Sequence, residues 1–388
     1  MNKGKVIVVG AGAWGGWSAL MLQKAGYQVT LIDKAGPGNE KAGSGGKTRI
    51  IRMAYGGSQV YTDMVARSFE LWEQYCKDWQ EDLYHEKSSL WMFRGINPAY
   101  ATLSQPLMRR KGYALDEISL VEVADRYPQI NLEDITSAYY EPKSGYLEAS
   151  RACKVVKAKF EASGGTYLEE EVSTIEGSGK VEAIRTESGQ RLVADHFVFA
   201  CGPWMKVLFP ELAPLIKVTR QEVYFYEGPP QHGGKDLPIW LEFREGDHMY
   251  YGIPDHFDEG FKLAYDQRDW QLDPDKGDRG VTPAIFDEMT KVVTNRFPGL
   301  KEAKLLRHHT CVYESSLDGH YIMDQAAGLE NTTVLCGSSG HGFKMGPAVG
   351  EMVMQHIQNQ HPLPEEFKLK RLMGVSAAKS PYEVQAEQ

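Results

Sequence analysis

Cysteine is scarce and scattered in this sequence: Cys76, Cys153, Cys201, Cys311 and Cys336 are the five in 388 residues, with no C-x-x-C pair among them. An odd, widely spaced set excludes a disulfide scaffold and the common zinc and dithiol motifs, and it fits a reducing compartment. No apolar run reaches about 18 residues, so no membrane-spanning helix is expected. The N-terminus "MNKGKVIVVG" turns apolar almost at once, without the pattern of a signal peptide, and the expected location is the cytoplasm. Positive charge is also in deficit, 43 Lys and Arg against 52 Asp and Glu. That balance argues against nucleic acid and anionic membrane surfaces as partners. Internal repeats and long low-complexity tracts are missing.

What is present is apolar and patterned. With 42% hydrophobic residues the chain can fill a sizeable core, and its length suits two domains. "KVIVVG" followed by "AGAWGGWSALMLQKAGYQVTLID" reads as a buried strand, a glycine turn, an amphipathic helix and a second strand ending in an acid, which is a βαβ unit. "RLVADHFVFACGPWMKVL" and "NTTVLCGSSGHGFKMGPAVGEMVMQHI" repeat the step from strand to glycine turn later in the chain. One α/β domain assembled from separated pieces is therefore expected, over 1–85, 146–219 and 306–365. Between the pieces, runs such as "EVYFYEG" and "HMYYGIP" alternate polar and aromatic residues, as antiparallel strands with one wet or ligand-facing side would. They predict a second domain over 86–145 and 220–305. The remainder, 366–388, is a C-terminal extension, and its aperiodic tail "AAKSPYEVQAEQ" reads as loosely held.

Gly10, Gly12 and Gly15 form G-x-G-x-x-G directly after the first strand, and Asp33 closes the next strand about 20 residues on. Glycine allows the tight turn and the close backbone approach that a pyrophosphate at a helix N-terminus requires, and the acid can accept from ribose hydroxyls. The full strand, turn, helix, strand and acid context favours a dinucleotide over a simple packing turn. "KAGSGGKT" imitates a P-loop but has Lys41 where the first glycine is needed and follows a polar turn. "GSSGHG" imitates a serine nucleophile elbow but has His341 at its last glycine. Arg49 and Arg52 are spaced i, i+3; on a helix they would share a face, either as a solvated surface pair or as an anion clamp. Cys311, in "HHTCVYESS", is open to three readings: an inert buried thiol, a metal ligand with His308 and His309, or a reactive thiol.

Taken in order, "VVGAGAWGG", "GGKTRIIRMAYGG", "ACGPW", "MYYGIP", "GFKLAY", "HTCVY" and "GSSGHGFK" resemble the family of monomeric sarcosine oxidase and N-methyltryptophan oxidase, with pipecolate oxidases close by. The resemblance spans almost the whole chain. It implies an α/β (α+β) protein with a glutathione-reductase-like FAD-binding domain and an inserted antiparallel-sheet substrate domain. By the same resemblance, Cys311 is the residue joined through sulfur to the flavin 8α-methyl carbon. Arg52 and Lys344 match the pair that holds the substrate carboxylate, and Tyr251 and Tyr313 match two tyrosines of the substrate pocket. Arg49 matches a basic residue beside the flavin ring, and Lys262 the lysine that promotes reaction with oxygen. Ser44, Thr48, Val172, Gly202, Trp204, Gly337, Gly340, Gly342 and Lys344 complete the implied cofactor contacts, and no metal is implied.

The family's paired histidines before the G-x-T-R segment are replaced here by Ser44 and Gly45, and the histidine four residues after Lys262 by Asp266. Asp266 would attract a more cationic or larger amine than sarcosine. The implied activity is oxidation of a secondary amine, an N-alkyl or cyclic amino acid or a cyclic amine. Hydride passes to flavin N5, the product is an imine, and oxygen is reduced to hydrogen peroxide by a monomeric enzyme. Two other readings stand beside it: a dehydrogenase that uses an acceptor other than oxygen, and a flavin-binding module without turnover.

Overall fold

Helix α1 (Ala13–Lys24) runs between strands β1 (Lys5–Val9) and β2 (Gln28–Asp33), which pair in parallel. The computed structural model describes residues 3–228, 230–232, 237–255, 259–266, 268 and 270–373. Most of the expected extension, 374–388, lies outside the described residues.

β1 is central in a six-stranded sheet whose order is Ile322–Asp324, Thr332–Cys336, His196–Phe199, β1, β2, Thr166–Glu169. All neighbours are parallel except the edge strand Ile322–Asp324. The pleat sends alternate β1 side chains to opposite faces. Val6 and Val8 join a core with Trp17 and Leu20 of α1, whereas Ile7 and Val9 pack with Val172, Ile184, Phe197 and Phe199. Both faces are covered, which is why the strand reads as an unbroken apolar run. On the helical side α1 packs against Ala149–Ala162 and Gly346–Ile357. Trp17 meets Trp72 edge-to-face there, with ring centroids 5.2 Å apart. Each such buried aromatic contributes about 1.5–3 kcal/mol through the area it removes from water.

A second sheet of eight strands is ordered Leu305–Ser316, Ile216–Tyr226, Phe261–Tyr265, His248–Ile253, Ile239–Arg244, Ser89–Phe93, Ser137–Glu141, Asp116–Ile118. It is antiparallel with one exception. Ile239–Arg244 and Ser89–Phe93 pair in parallel, because this seam joins strands from two separate stretches of chain that no hairpin connects. The strand bearing Cys311 is paired along its length with Ile216–Tyr226. The expected boundaries at 219/220 and 305/306 therefore cut through this sheet, and both strands belong to it. A small antiparallel sheet has Gly145–Glu148 in the middle, with β3 (Thr48–Ile51) on one side and Tyr84–Glu86 on the other. Arg49 is thus on a strand rather than a helix, with Arg52 just past its end, and the shared helical face considered for them does not exist.

Candidate active site

The C-terminal ends of the parallel strands open into a cleft of about 1100 Å³. Gly10, at the end of β1, has φ +102°, and a Cβ there would lie 2.3 Å from the Ala200 carbonyl oxygen. A Cβ on Gly15 would lie 1.8 Å from the Gly10 carbonyl oxygen, so only glycine lets α1 approach the turn this closely. The N-terminus of α1 consequently faces the cleft, and the Ala13 amide donates to Ser44 Oγ at 3.0 Å. At the far end of β2, Asp33 accepts from the Ala11 amide at 2.7 Å and the Ala35 amide at 2.9 Å. Burial raises its carboxyl despite these donors.

Gly12, Ser44, Val172, Gly202, Trp204 and Gly342 line this cleft together with Gly10 and Asp33. Gly15 packs beneath it. Glycine-scale access at a helix N-terminus, an acid one strand over and an elongated cleft are the features that a dinucleotide requires. Asn39, Glu170, Glu171 and Glu314 also line it and were not anticipated. Asn39, Glu170 and Glu171 lie in segments without a motif, Glu314 directly follows "HTCVY", and only the fold brings the four to the strand ends.

A second cavity of about 580 Å³ adjoins the first, and Phe343 lines both. Arg49, Arg52, Tyr251, Lys262, Asp266, Tyr313, Gly340 and Lys344 line it, so the sequence-derived substrate residues converge although they span nearly 300 positions. Four of these residues are basic, and one is acidic. Thr48 borders the group through Lys262, whose Nζ donates to it, whereas Gly337 packs behind the loop near Ser316 and Ile322.

Arg52 is buried, donates to the Ala54 carbonyl, and lies 5.1, 5.0 and 5.6 Å from the ring centroids of Tyr55, Trp91 and Tyr100. Lys344 donates from Nζ to Tyr55 Oη at 2.8 Å and to the His341 carbonyl at 2.9 Å. Tyr55 therefore stands between the two cations. Burial holds the Lys344 ammonium well below the ordinary lysine range; the Arg52 charge lowers it further, and Glu141 opposes both. An anion bound between Arg52 and Lys344 would restore that proton. His341 Nε2 faces the Gly319 carbonyl at 3.3 Å, and Nδ1 accepts from Tyr321 Oη at 2.8 Å. Burial, with Lys344 and Arg268 nearby, keeps this imidazole neutral.

Tyr251 and Tyr313 touch through their hydroxyls at 3.3 Å. Asp266 is bridged by Arg268, whose Nη2 donates at 3.0 and 3.2 Å. That pairing offsets much of the attraction expected between Asp266 and a cationic amine.

Cys311 is 6% exposed and packs with Val223, Phe225, Ala264 and Tyr251. Burial pushes its thiol up, but the Arg49 guanidinium, a hydrogen bond from His309 and the Lys262 charge outweigh it and bring it down to about 6. The other four cysteines are all pushed upward by burial. Among the described residues no three His, Cys, Asp or Glu side chains group as a metal site.

From 5 to 356 the chain matches the model of the family described as FAD dependent oxidoreductase. It is 29% identical over 358 residues to a monomeric sarcosine oxidase of Bacillus sp. (strain B-0618), covering 90% of this chain and 91% of the relative. It is 27% identical over 362 residues to an N-methyl-L-tryptophan oxidase of Yersinia pestis (strain Pestoides F), covering 92% and 95%. Among solved structures, L-proline dehydrogenase from P. horikoshii superposes with a TM-score of 0.82 at 21% identity over 96% of this chain and 98% of that one. NikD, an unusual amino acid oxidase, gives 0.77 at 18% identity over 95% and 98%. The two structures agree with this chain in fold, and the two relatives bear the names of the family that its motifs resemble. The glycine turn, the acid of β2 and the cleft they open are those of a chain that belongs to the FAD-dependent oxidoreductase family.

Proposed function

We propose that this chain oxidises a secondary amine that carries a carboxylate, an N-alkyl or cyclic amino acid, to the imine, with oxygen as the electron acceptor and hydrogen peroxide as the second product. The observation that carries this reading is the cavity lined by Arg49, Arg52, Lys262 and Lys344 beside the cofactor cleft. Four basic groups around one small cavity favour an anion, and Arg52 has the planar donor set that suits a carboxylate. Two relatives are named for sarcosine and N-methyl-L-tryptophan, which are both N-methyl amino acids.

Bound in the large cleft, FAD supplies the two-electron redox chemistry. Gly10, Gly12, Asp33 and Ser44 would hold its dinucleotide portion, and Cys311 would be the attachment point for the flavin 8α-methyl carbon. The chain's own work is positioning and fixed charge. Arg52 and Lys344 hold the substrate carboxylate, with Tyr55 fixing both cations. Tyr251 and Tyr313 wall the cavity on the side of the large sheet. Lys262 provides positive charge where oxygen gains electrons, and Arg49 stabilises negative charge beside the ring and, before the thioether forms, on the Cys311 sulfur. The unshared pair of the neutral amine must be free for its α or N-methyl carbon to lose hydride, and a largely cationic cavity favours that neutral form. We further infer a monomer working in the cytoplasm; the Bacillus relative is named as monomeric, and no helix among the described residues is long and apolar enough to cross a membrane.

Peroxide production under air from L-pipecolate and from piperidine, which differ by the carboxylate, tests the reading. Strong preference for pipecolate is expected. Preference for piperidine would remove the carboxylate clamp from the function.

A further inference from the structure

Glu314 lies three residues beyond Cys311 in the Leu305–Ser316 strand. Cys311 and Tyr313 share one face of that strand, and the pleat turns Glu314 to the other. Tyr313 accordingly lines the smaller cavity and Glu314 the cofactor cleft. Only 5% of Glu314 is exposed. The Ser338 amide donates to Oε1 at 3.2 Å, whereas Oε2 is buried with no hydrogen-bond partner among the described residues. Leaving a buried carboxyl oxygen unpaired is costly, and a buried polar atom at the wall of a ligand cleft is normally completed by the ligand.

The sheet says which part of the ligand that is. β1 ends at Gly10, its neighbour His196–Phe199 runs into Cys201 and Gly202, and the next strand, Thr332–Cys336, runs into Gly337 and Ser338. Strands lie about 4.8 Å apart, so the Ser338 end is roughly 10 Å from the glycine turn that receives the pyrophosphate. It lies on the side away from β2 and Asp33, where the adenosine ribose is held. In FAD, the segment leaving the pyrophosphate in that direction is the polyol chain leading to the flavin ring.

We propose that Glu314 is a cofactor-binding residue whose Oε2 hydrogen-bonds a hydroxyl of the polyol chain of FAD. Burial, opposed by the Ser338 amide and hydroxyl and by the Gly337 amide, raises this carboxyl to about 7. Near neutral pH it can therefore donate as the acid or accept as the carboxylate, and a hydroxyl suits both forms. Ionised Glu314 also repels the cofactor's phosphates, so FAD binds better to the protonated acid and the affinity falls as pH rises through neutrality. The ionisable neighbours facing Glu314 are Cys201 and Cys336, both pushed far above neutrality by burial, so neither titrates in this range. This proposal rests on FAD binding alone and stands whatever amine is the substrate.

The test uses the full chain with Cys311→Ser, so that the cofactor exchanges freely, and measures the Kd of FAD by fluorescence quenching between pH 6 and 8. Glu314→Leu is expected to weaken FAD roughly 10-fold or more, the loss of one hydrogen bond with its partner left unpaired. Glu314→Gln, which can both donate and accept, should bind within about 3-fold of the parent at pH 6 and lose the part of the pH dependence that the Glu314 carboxyl contributes, so that its profile is shallower than the parent's. An unchanged Kd in Glu314→Leu, with thermal stability lowered equally with and without FAD, would mean that Glu314 only supports the Ser338 loop, and would overturn the proposal. If Glu314→Leu does not fold, Glu314→Gln decides: a pH profile matching the parent also overturns it.

Discussion

Lys262 donates from Nζ to the Thr48 carbonyl at 3.1 Å and to Thr48 Oγ1 at 3.2 Å, tying the large sheet to β3. Burial drives its ammonium down to about 7, the Arg49 charge adds to this, and the Cys311 sulfur opposes it. The charge proposed to aid oxygen reduction is thus lost as pH rises toward and past neutrality, the more so once the thioether to the flavin removes the negative charge on the Cys311 sulfur. Lys262→Met should leave anaerobic reduction by substrate within a few-fold and slow reoxidation by air about 10²–10³-fold, the scale of removing one charge-stabilising group. Stopped-flow reoxidation in the parent should slow as pH rises through 7 and be flat in the variant. Equal reoxidation rates would point to an acceptor other than oxygen.

Cys311 and Arg49 form a second testable pair. In cofactor-free protein, alkylation of Cys311 by iodoacetamide should reach half its maximal rate near pH 6, because the thiol sits at about 6. Arg49→Ala removes the largest opposing charge and should move that midpoint upward, toward the ordinary thiol range. In holoprotein, acid precipitation should leave the yellow colour in the pellet, and Cys311→Ser should release it. A colourless pellet from the parent would rule out the thioether while leaving FAD binding intact.

The parts of this molecule legible in the sequence are those where chemistry depends on local spacing. Gly10, Gly12, Gly15 and Asp33 form a contiguous βαβ signal, and the structure gives that signal the expected strand, helix and strand. The alternation in "EVYFYEG" and "HMYYGIP" likewise predicts strands that are present. Strand partnership is a different matter. The parallel seam between Ile239–Arg244 and Ser89–Phe93 depends on chain segments about 150 residues apart and leaves no local trace. Arg49 and Arg52 show the ambiguity of short spacing, since i, i+3 describes a helical face only if a helix forms. Tyr55, Glu141 and Glu314 escaped notice because each is an ordinary residue within a strand or turn. Their importance comes from burial beside Arg52, Lys344 and the cofactor cleft, which only the tertiary fold creates. The Asp266 substitution was visible, but not Arg268 as its partner.

The carboxylate clamp predicts a split between substrates rather than a general loss. Arg52→Met should raise KM for an amino-acid substrate by roughly 10- to 100-fold, the range for a charge-assisted hydrogen bond, and alter turnover of a carboxylate-free amine little. Lys344→Met should follow the same pattern. Affinity for an anionic competitive inhibitor should fall as pH rises in the parent, because the bound anion holds the proton on Lys344 that burial otherwise strips away. A uniform fall in kcat for both substrate types would instead assign Arg52 to the architecture of its aromatic surround.

Glu141 provides the last prediction. The Met53 amide donates to its Oε1 at 2.6 Å, while Oε2 is buried with no hydrogen-bond partner among the described residues. Burial raises this carboxyl from 4.5 to about 7 against the pull of the Met53 amide, the Arg52 charge and the Trp91 indole N–H. Because the folded-state pKa lies above the unfolded value, the folded state binds more protons than the unfolded chain between pH 4.5 and 7. Glu141 therefore makes folding progressively less favourable as pH rises through that window, by up to about 3 kcal/mol at its upper end. Glu141→Gln keeps the shape and cannot ionise. Its stability relative to the parent, measured by urea unfolding, should be lowest near pH 4 and should rise to a plateau above pH 7. The other titrating groups are common to both proteins, so the difference isolates Glu141, apart from the further lowering of Lys344 when its acidic neighbour is neutralised. Parallel stability curves across the range would mean that Glu141 titrates in the folded chain as it does in the unfolded one, so that near neutral pH it is the ionised counter-charge of Arg52 and Lys344 and the substrate carboxylate meets a clamp already partly neutralised.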